Sequence, residues 1–293
     1  MNALLDIGNK LDTRKCQTKY KFYRKPQAQT MTKQPTDLNN KVVFDQLWGI
    51  TKELYQKLEA RFQLHPNPSV ENLQQYSSLD GNMKGSLTAF SGEEVDWLVH
   101  SWLGNPEKSN FSTMRLTTWL KSHIQVPHLA FGFSTLPNIF FYIDYIPRTE
   151  LLTDLAYLDR YYEPINQTFL KLQDDSCLKV FTSTSLYLRL FQSPVSLCYT
   201  GAPTFDTLEL TRTLAHETLD RWLTWVDAAE PVPENVREAL ASRDLLVRRN
   251  SAECDPGNKF AAQMFGSELT DKLVRSLWGG VGVDYSPITD SHR

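Results

Sequence analysis

The sequence predicts an α+β fold, an α/β/α sandwich whose central antiparallel sheet is covered by helices on both faces. Three observations predict it. Apolar residues recur at helical spacing before and after the middle third of the chain. The middle third is a succession of short runs rich in aromatic and β-branched residues, separated by turn residues. One of those runs, Ile139 to Tyr145, is apolar on nearly every residue. A strand of that kind has no solvent face, so both sides of the sheet need a cover.

In chain order, Val43, Phe44, Leu47, Leu54, Leu58 and Phe62 mark a first helix. The stretch "HPNPS" stops it, because a residue before proline disfavours helical geometry. Five strand-like runs follow: "GNMKGSLTAFSG", "EEVDWLVHSWLG", "STMRLTTWLK", "PHLAFGFS" and "NIFFYIDYIP". Their links are short (Gly92, Gly104-Asn105-Pro106, Pro127 and Pro137-Asn138), which predicts an antiparallel meander. After Pro147 the period becomes helical. "LLTDLAYLDRYYEP" and "STSLYLRLFQSP" read as short helices, each ended by its proline. A longer helix carries Leu208, Ala215, Leu219, Trp222 and Val226 on one stripe. "PENVREALASRDLLVRR" opens with Pro233 and Glu234, as helix starts often do. A last helix is expected from about Asn258, burying Phe260, Met264, Leu269, Leu273 and Leu277. No repeat or linker interrupts residues 40–285, which predicts one domain there, between a segment at 1–39 and a tail at 286–293.

Composition narrows the function. A content of 41% hydrophobic and 12% aromatic residues is that of a packed globular protein. No apolar run approaches the ~18 residues of a membrane helix. The four cysteines, Cys16, Cys177, Cys198 and Cys254, are far apart and form no CxxC pair. That usage predicts reduced thiols, in a bacterial cytoplasm or a plastid stroma. The net charge of −3 is uneven: residues 1–36 hold eight Lys/Arg against two Asp, leaving −9 on the rest. An acidic body argues against nucleic acid as a partner. The basic start has no serine, unlike a transit peptide, and no apolar core, unlike a secretory signal. It reads as a disordered tail or as sequence upstream of a start at Met31.

Familiar catalytic motifs are missing. No G-x-G-x-x-G follows a strand, "GGVGVDY" has no helix after it, and there is no P-loop, HExxH, GxSxG or metal-spaced Cys/His cluster. Of the six histidines, His100 is the candidate for chemistry. It alternates with Leu98 and Trp102 along an inner strand, where a titratable group could face a pocket. Asp144 shares a face with Phe140 and Tyr142 and is expected to pair with Arg148. Asp255-Pro256-Gly257 reads as a turn that feeds a helix.

Four stretches, "VDWLVHSWLG", "IDYIPRTELLTDLAYLDRYYEPIN", "SLYLRLFQSPVSL" and "RRNSAECDPGNKFAAQMFGSEL", together resemble red chlorophyll catabolite reductases. Those enzymes belong with the ferredoxin-dependent bilin reductases. The resemblance runs colinearly from about residue 42 to 280. It implies the layered fold already predicted, and no flavin, nicotinamide or metal held by the protein. Electrons would come singly from reduced ferredoxin to an open-chain tetrapyrrole that is its own redox centre. The protein would bind the bilin and deliver protons.

By the same resemblance Asp255 matches the family's acid and is expected to be the main proton donor, its pKa raised beside an apolar ligand. His100 is the second catalytic candidate. Gly132 falls where a second acid is usual. Gln192, before Ser193, holds a position that affects which face of the bilin is protonated. Cys254 and Asp144 complete the expected substrate-binding set. Arg248, Arg249, Lys259, Lys272 and Arg275 are expected to dock the acidic ferredoxin. A biliverdin-type reductase and a non-catalytic bilin-binding protein are the alternatives, and a homodimer is left open.

Overall fold

The computed structural model describes residues 37–280 apart from 110 and 137. The expectations for the basic start and for the tail lie outside the described residues. Helix α1 (Asn40–Arg61) is capped by Asn39, whose side chain accepts from the Val42 N–H at 2.9 Å. It buries Val43, Phe44, Leu47, Ile50, Leu54 and Leu58 and ends before the prolines. Short strands β1 (His65–Pro66) and β2 (Tyr76–Ser77) flank a 3-10 turn at Pro68–Leu73. The predicted meander follows as β3 (Lys84–Ser91), β4 (Val95–Gly104), β5 (Ser112–Leu120), β6 (His128–Leu136) and β7 (Asn138–Ile146). Each pairs antiparallel with the next.

The second half comprises α2 (Leu155–Tyr161), α3 (Glu163–Gln173), β8 (Leu178–Val180), α4 (Leu186–Phe191), β9 (Leu197–Gly201) and α5 (Phe205–Asp227). Three further helices end it: α6 (Glu234–Cys254), α7 (Gly257–Phe265) and α8 (Ser267–Trp278). The sheet runs β1-β3-β4-β5-β6-β7-β9-β8, with β2 also on β3. Side-chain alternation divides its two faces. Leu98, Leu116, Phe131 and Phe141 pack with α1 and α5, while Trp97, Val99, Trp119 and Ala130 pack with α6 and α8. The leucine, valine and phenylalanine side chains among them each contribute ~1.5–3 kcal/mol on full burial. The sandwich is therefore the predicted one, with β7 covered on both sides.

Three local readings change. Pro164 does not end a helix. It lies in the first turn of α3, where a missing N–H costs nothing. The single last helix is two, broken at Gly266, whose φ of 76° suits glycine. Phe260 is consequently 56% exposed rather than buried.

The expected Asp144–Arg148 pair is not formed either. Arg148, just past β7, reaches Asp244 of α6 instead, with Nε at 3.0 Å and Nη2 at 2.5 Å from Oδ2. Its Nη1 donates to the Ile124 carbonyl. His128 joins them: its Nδ1 accepts from the Leu120 N–H at 3.0 Å, so Nε2 carries the hydrogen, 3.2 Å from Asp244 Oδ1.

Candidate functional site

On the sheet face toward α6 and α8, β6 presents Ala130, Gly132 and Ser134, where β4 and β5 present tryptophans. Small residues in the middle of a covered sheet leave a hollow. The resulting cavity has a volume of ≈ 230 Å³, below the roughly 300–1,000 Å³ of sites for drug-sized ligands. Phe181 and Phe191 wall one side, with Gln192 at the end of α4, and Trp278 of α8 walls another.

Asp255 is the only carboxyl among the described residues that lines this cavity. The chain places it where α6 ends and α7 begins. Its Oδ1 accepts from the Gly257 N–H at 2.8 Å and its carbonyl from the Asn258 N–H at 3.1 Å. The sequence-predicted turn is therefore present, and it leaves the second carboxyl oxygen for other work.

Across the cavity stands Arg115 of β5, its guanidinium 4.9 Å from the centre of the Trp278 ring. Burial pushes its pKa down, while Asp255 and Tyr142 pull the other way. An arginine stays charged under such opposing effects.

Tyr142 lines the cavity and donates its hydroxyl to Asp144 Oδ2 at 2.9 Å. The Ser193 N–H donates to the same oxygen at 2.9 Å. Burial raises the Asp144 carboxyl to about 6, against the lowering effect of the Ser193 and Tyr142 hydrogen bonds. The result is a carboxyl that changes charge near neutrality, linked to the cavity through one phenol. Cys198, also at the wall, is pushed up to about 11 by burial.

Of the residues singled out from sequence, the structure brings Asp255, Gly132 and Gln192 to one cavity. Asp144 and Ser193 stand a layer behind Tyr142, and Cys254 is not part of the lining. His100 is a correction. It lies on the other face of the sheet, stacked between Trp48 at 4.4 Å and Tyr55 at 5.0 Å of α1. Burial and nearby Lys52 hold it near 4, so it is a neutral core histidine. Arg248 is a second correction. Only 8% exposed, it pairs with Asp96 and lies over the Trp119 ring. Arg275 bonds Asp271 at 2.9 Å and Lys272 bonds Glu268 at 2.8 Å along α8. Arg249 and Lys259 are exposed.

Sequence reading missed Arg115, Tyr142 and Trp278. Tyr142 had a signal, two residues from Asp144 on the same strand face. Arg115 and Trp278 had none, since their meeting depends on how α8 lies over β5.

The layered fold and its cavity place the chain among proteins with the bilin reductase fold. Its backbone is similar to that of phytochromobilin synthase from tomato, solved in complex with biliverdin, with a TM-score of 0.70 over 79% of this chain and 82% of that one. At 15% identity that likeness is one of fold. The sequence profile of the red chlorophyll catabolite reductase (RCC reductase) family matches residues 48–278, and the chain belongs to that family. It is 26% identical over 220 residues to the chloroplastic red chlorophyll catabolite reductase 1 of Oryza sativa subsp. japonica, covering 69% of this chain and 67% of the relative. It is 24% identical over 177 residues to the red chlorophyll catabolite reductase of Hordeum vulgare, covering 56% and 86%.

Proposed function

We propose that this protein reduces an open-chain tetrapyrrole, taking electrons singly from reduced ferredoxin and supplying protons from its own cavity. The observation that carries the reading is one carboxyl, Asp255, facing an aromatic-walled cavity on a bilin reductase fold. Reducing one double bond consumes two electrons and two protons. The bound tetrapyrrole accepts the electrons, so the side chains need only hold it flat, exclude water and donate protons. Phe191 and Trp278 serve the first two tasks by their position on the wall. Asp255 donates one proton, and the Asp144 carboxyl donates the second through the Tyr142 hydroxyl. This relay takes the place of the acid that Gly132 lacks.

The reading is tested by adding biliverdin to the purified protein and then reduced ferredoxin. A shift of the visible spectrum on mixing reports binding, and bleaching or a second shift on reduction reports turnover. A tetrapyrrole that binds tightly and never changes with reduced ferredoxin overturns the reductase. The second reading, a bilin-binding protein without catalysis, then stands, as Gly132 suggests.

Two predictions arise directly. The relay needs a protonated Asp144, and that form declines as pH rises through about 6. The reduction rate is expected to fall across that range in the unaltered protein. Asp144→Asn is expected to lose that limb and about tenfold in rate at pH 6; an unchanged pH–rate profile rules the relay out. For ferredoxin, Arg249 and Lys259 are exposed near the Asp255 turn in sequence. Reversing both charges is expected to slow turnover more at low salt than at high salt, because exposed charges are screened. Equal slowing at both salt concentrations excludes docking there.

A further inference from the structure

We infer that Arg115 seats a carboxylate of the ligand in the space that Gly132 leaves open on the neighbouring strand. The inference rests on the tetrapyrrole reading and adds to it a position and a chemical class for the ligand's acidic group.

The register brings the two residues together. Arg115 of β5 pairs directly with Gly132 of β6, and Gly132 with Tyr142 of β7, so the three form one row across the cavity face. Among the described residues the Arg115 guanidinium makes no ion pair and no hydrogen bond. Arg115 is half-buried, and the two fully buried arginines behave differently. Arg148 is held by Asp244 and Arg248 by Asp96. Buried charges are paired as a rule. Arg115 has only the face of Trp278, which meets its charge but takes none of its five N–H donors. Asp255 attracts it across the cavity without coming within 4.0 Å.

Gly132 supplies the room. It has no positive φ, so the backbone does not require glycine there. A Cβ at this position would meet nothing nearer than the Tyr142 Cβ at 3.7 Å, an ordinary contact. The glycine is therefore explained by the space it frees beside an unpaired guanidinium, not by crowding. A carboxylate entering that space takes two parallel N–H bonds from Arg115, the geometry a guanidinium favours.

The experiment compares two probes, biliverdin and its dimethyl ester, titrated by visible absorption into the unaltered protein, Arg115→Gln and Gly132→Asp. The unaltered protein is expected to bind the free acid at least about tenfold more tightly than the ester. Arg115→Gln is expected to abolish that preference while the ester's affinity stays within about threefold. Gly132→Asp places a carboxylate beside Arg115 within the chain. It is expected to raise the melting temperature and to abolish the acid preference as well. Equal binding of acid and ester by the unaltered protein overturns the inference. So does an equal loss of both in Arg115→Gln, which marks a purely structural arginine, and so does an acid preference that persists in folded Gly132→Asp. If the unaltered protein binds neither probe, the tetrapyrrole reading itself falls, and the carboxylate seat with it.

Discussion

Asp255→Asn is expected to keep the tetrapyrrole bound, with a dissociation constant within about threefold, and to lose on the order of 10²–10⁴ in reduction rate. The separation follows from how the carboxyl is held. Its Oδ1 closes a turn by accepting from the Gly257 N–H. An asparagine Oδ1 accepts the same bond, and asparagine favours such turns as much as aspartate does. The join between α6 and α7 therefore survives, and so does the aromatic wall that carries most of the binding. What goes is the acidic proton, since an amide has none to give near neutral pH. Single-turnover spectra with pre-bound biliverdin and excess reduced ferredoxin read the rate without the binding step. Asp255→Ala, which also removes the turn's acceptor, is expected to lose as much rate and to bind less well. A full rate in Asp255→Asn leaves Asp255 as architecture and puts the proton source at Tyr142 and Asp144.

The contrast between Asp255 and His100 shows what the sequence carried and what it did not. The strand that bears His100 was legible, and so was the alternation with Leu98 and Trp102. Alternation assigns residues to a common face but does not say which layer covers it. The layer over Leu98 and His100 is α1, whose Trp48 and Tyr55 close on the imidazole. The cavity is on the other face. Asp255 was legible because its turn is local: an Asp-Pro-Gly before a helical stripe fixes its own geometry.

Arg148 follows the His100 pattern. The acid expected to pair with it, Asp144, points to the cavity side and is taken up by Tyr142 and Ser193. Its true partner lies on α6, which no spacing rule brings near. Local chemistry was readable from residues close in sequence. Pairings across layers needed the packing, and the docking arginine Arg248 was lost for the same reason.

The buried Arg148–Asp244 pair yields the largest expected effect on stability. Asp244→Asn keeps the shape and removes the charge, leaving Arg148, 1% exposed, with only uncharged acceptors, the new amide oxygen and backbone carbonyls. Breaking a buried pair on one side costs about 3–5 kcal/mol, and the melting temperature is expected to fall by about 10 °C. Replacing Arg148 and Asp244 together by methionine is expected to recover part of the loss, because no uncompensated charge remains.

The pH dependence has a definite sign. Burial alone would raise the Asp244 carboxyl, but His128 and Arg148 beside it bring it down to about 2. Burial and Arg148 hold His128 near 4, so it is neutral at pH 7, and Arg148 is the charge that matters. Both groups bind protons more readily when unfolded. Stability is therefore lost as pH falls, first below the ordinary histidine range of about 6.5 toward 4, then from about 4 toward 2. Asp244→Asn is expected to flatten the lower part of that curve in urea melts taken at successive pH values. A melting temperature within 2 °C of the unaltered protein would show that the pair contributes little.

The same variant connects stability to chemistry. Asp244 ties α6 to the end of β7, and the last turn of α6 presents Asp255 to the cavity. Loosening that tie is expected to lower the reduction rate at temperatures where the protein is still folded, with the free acid bound as before.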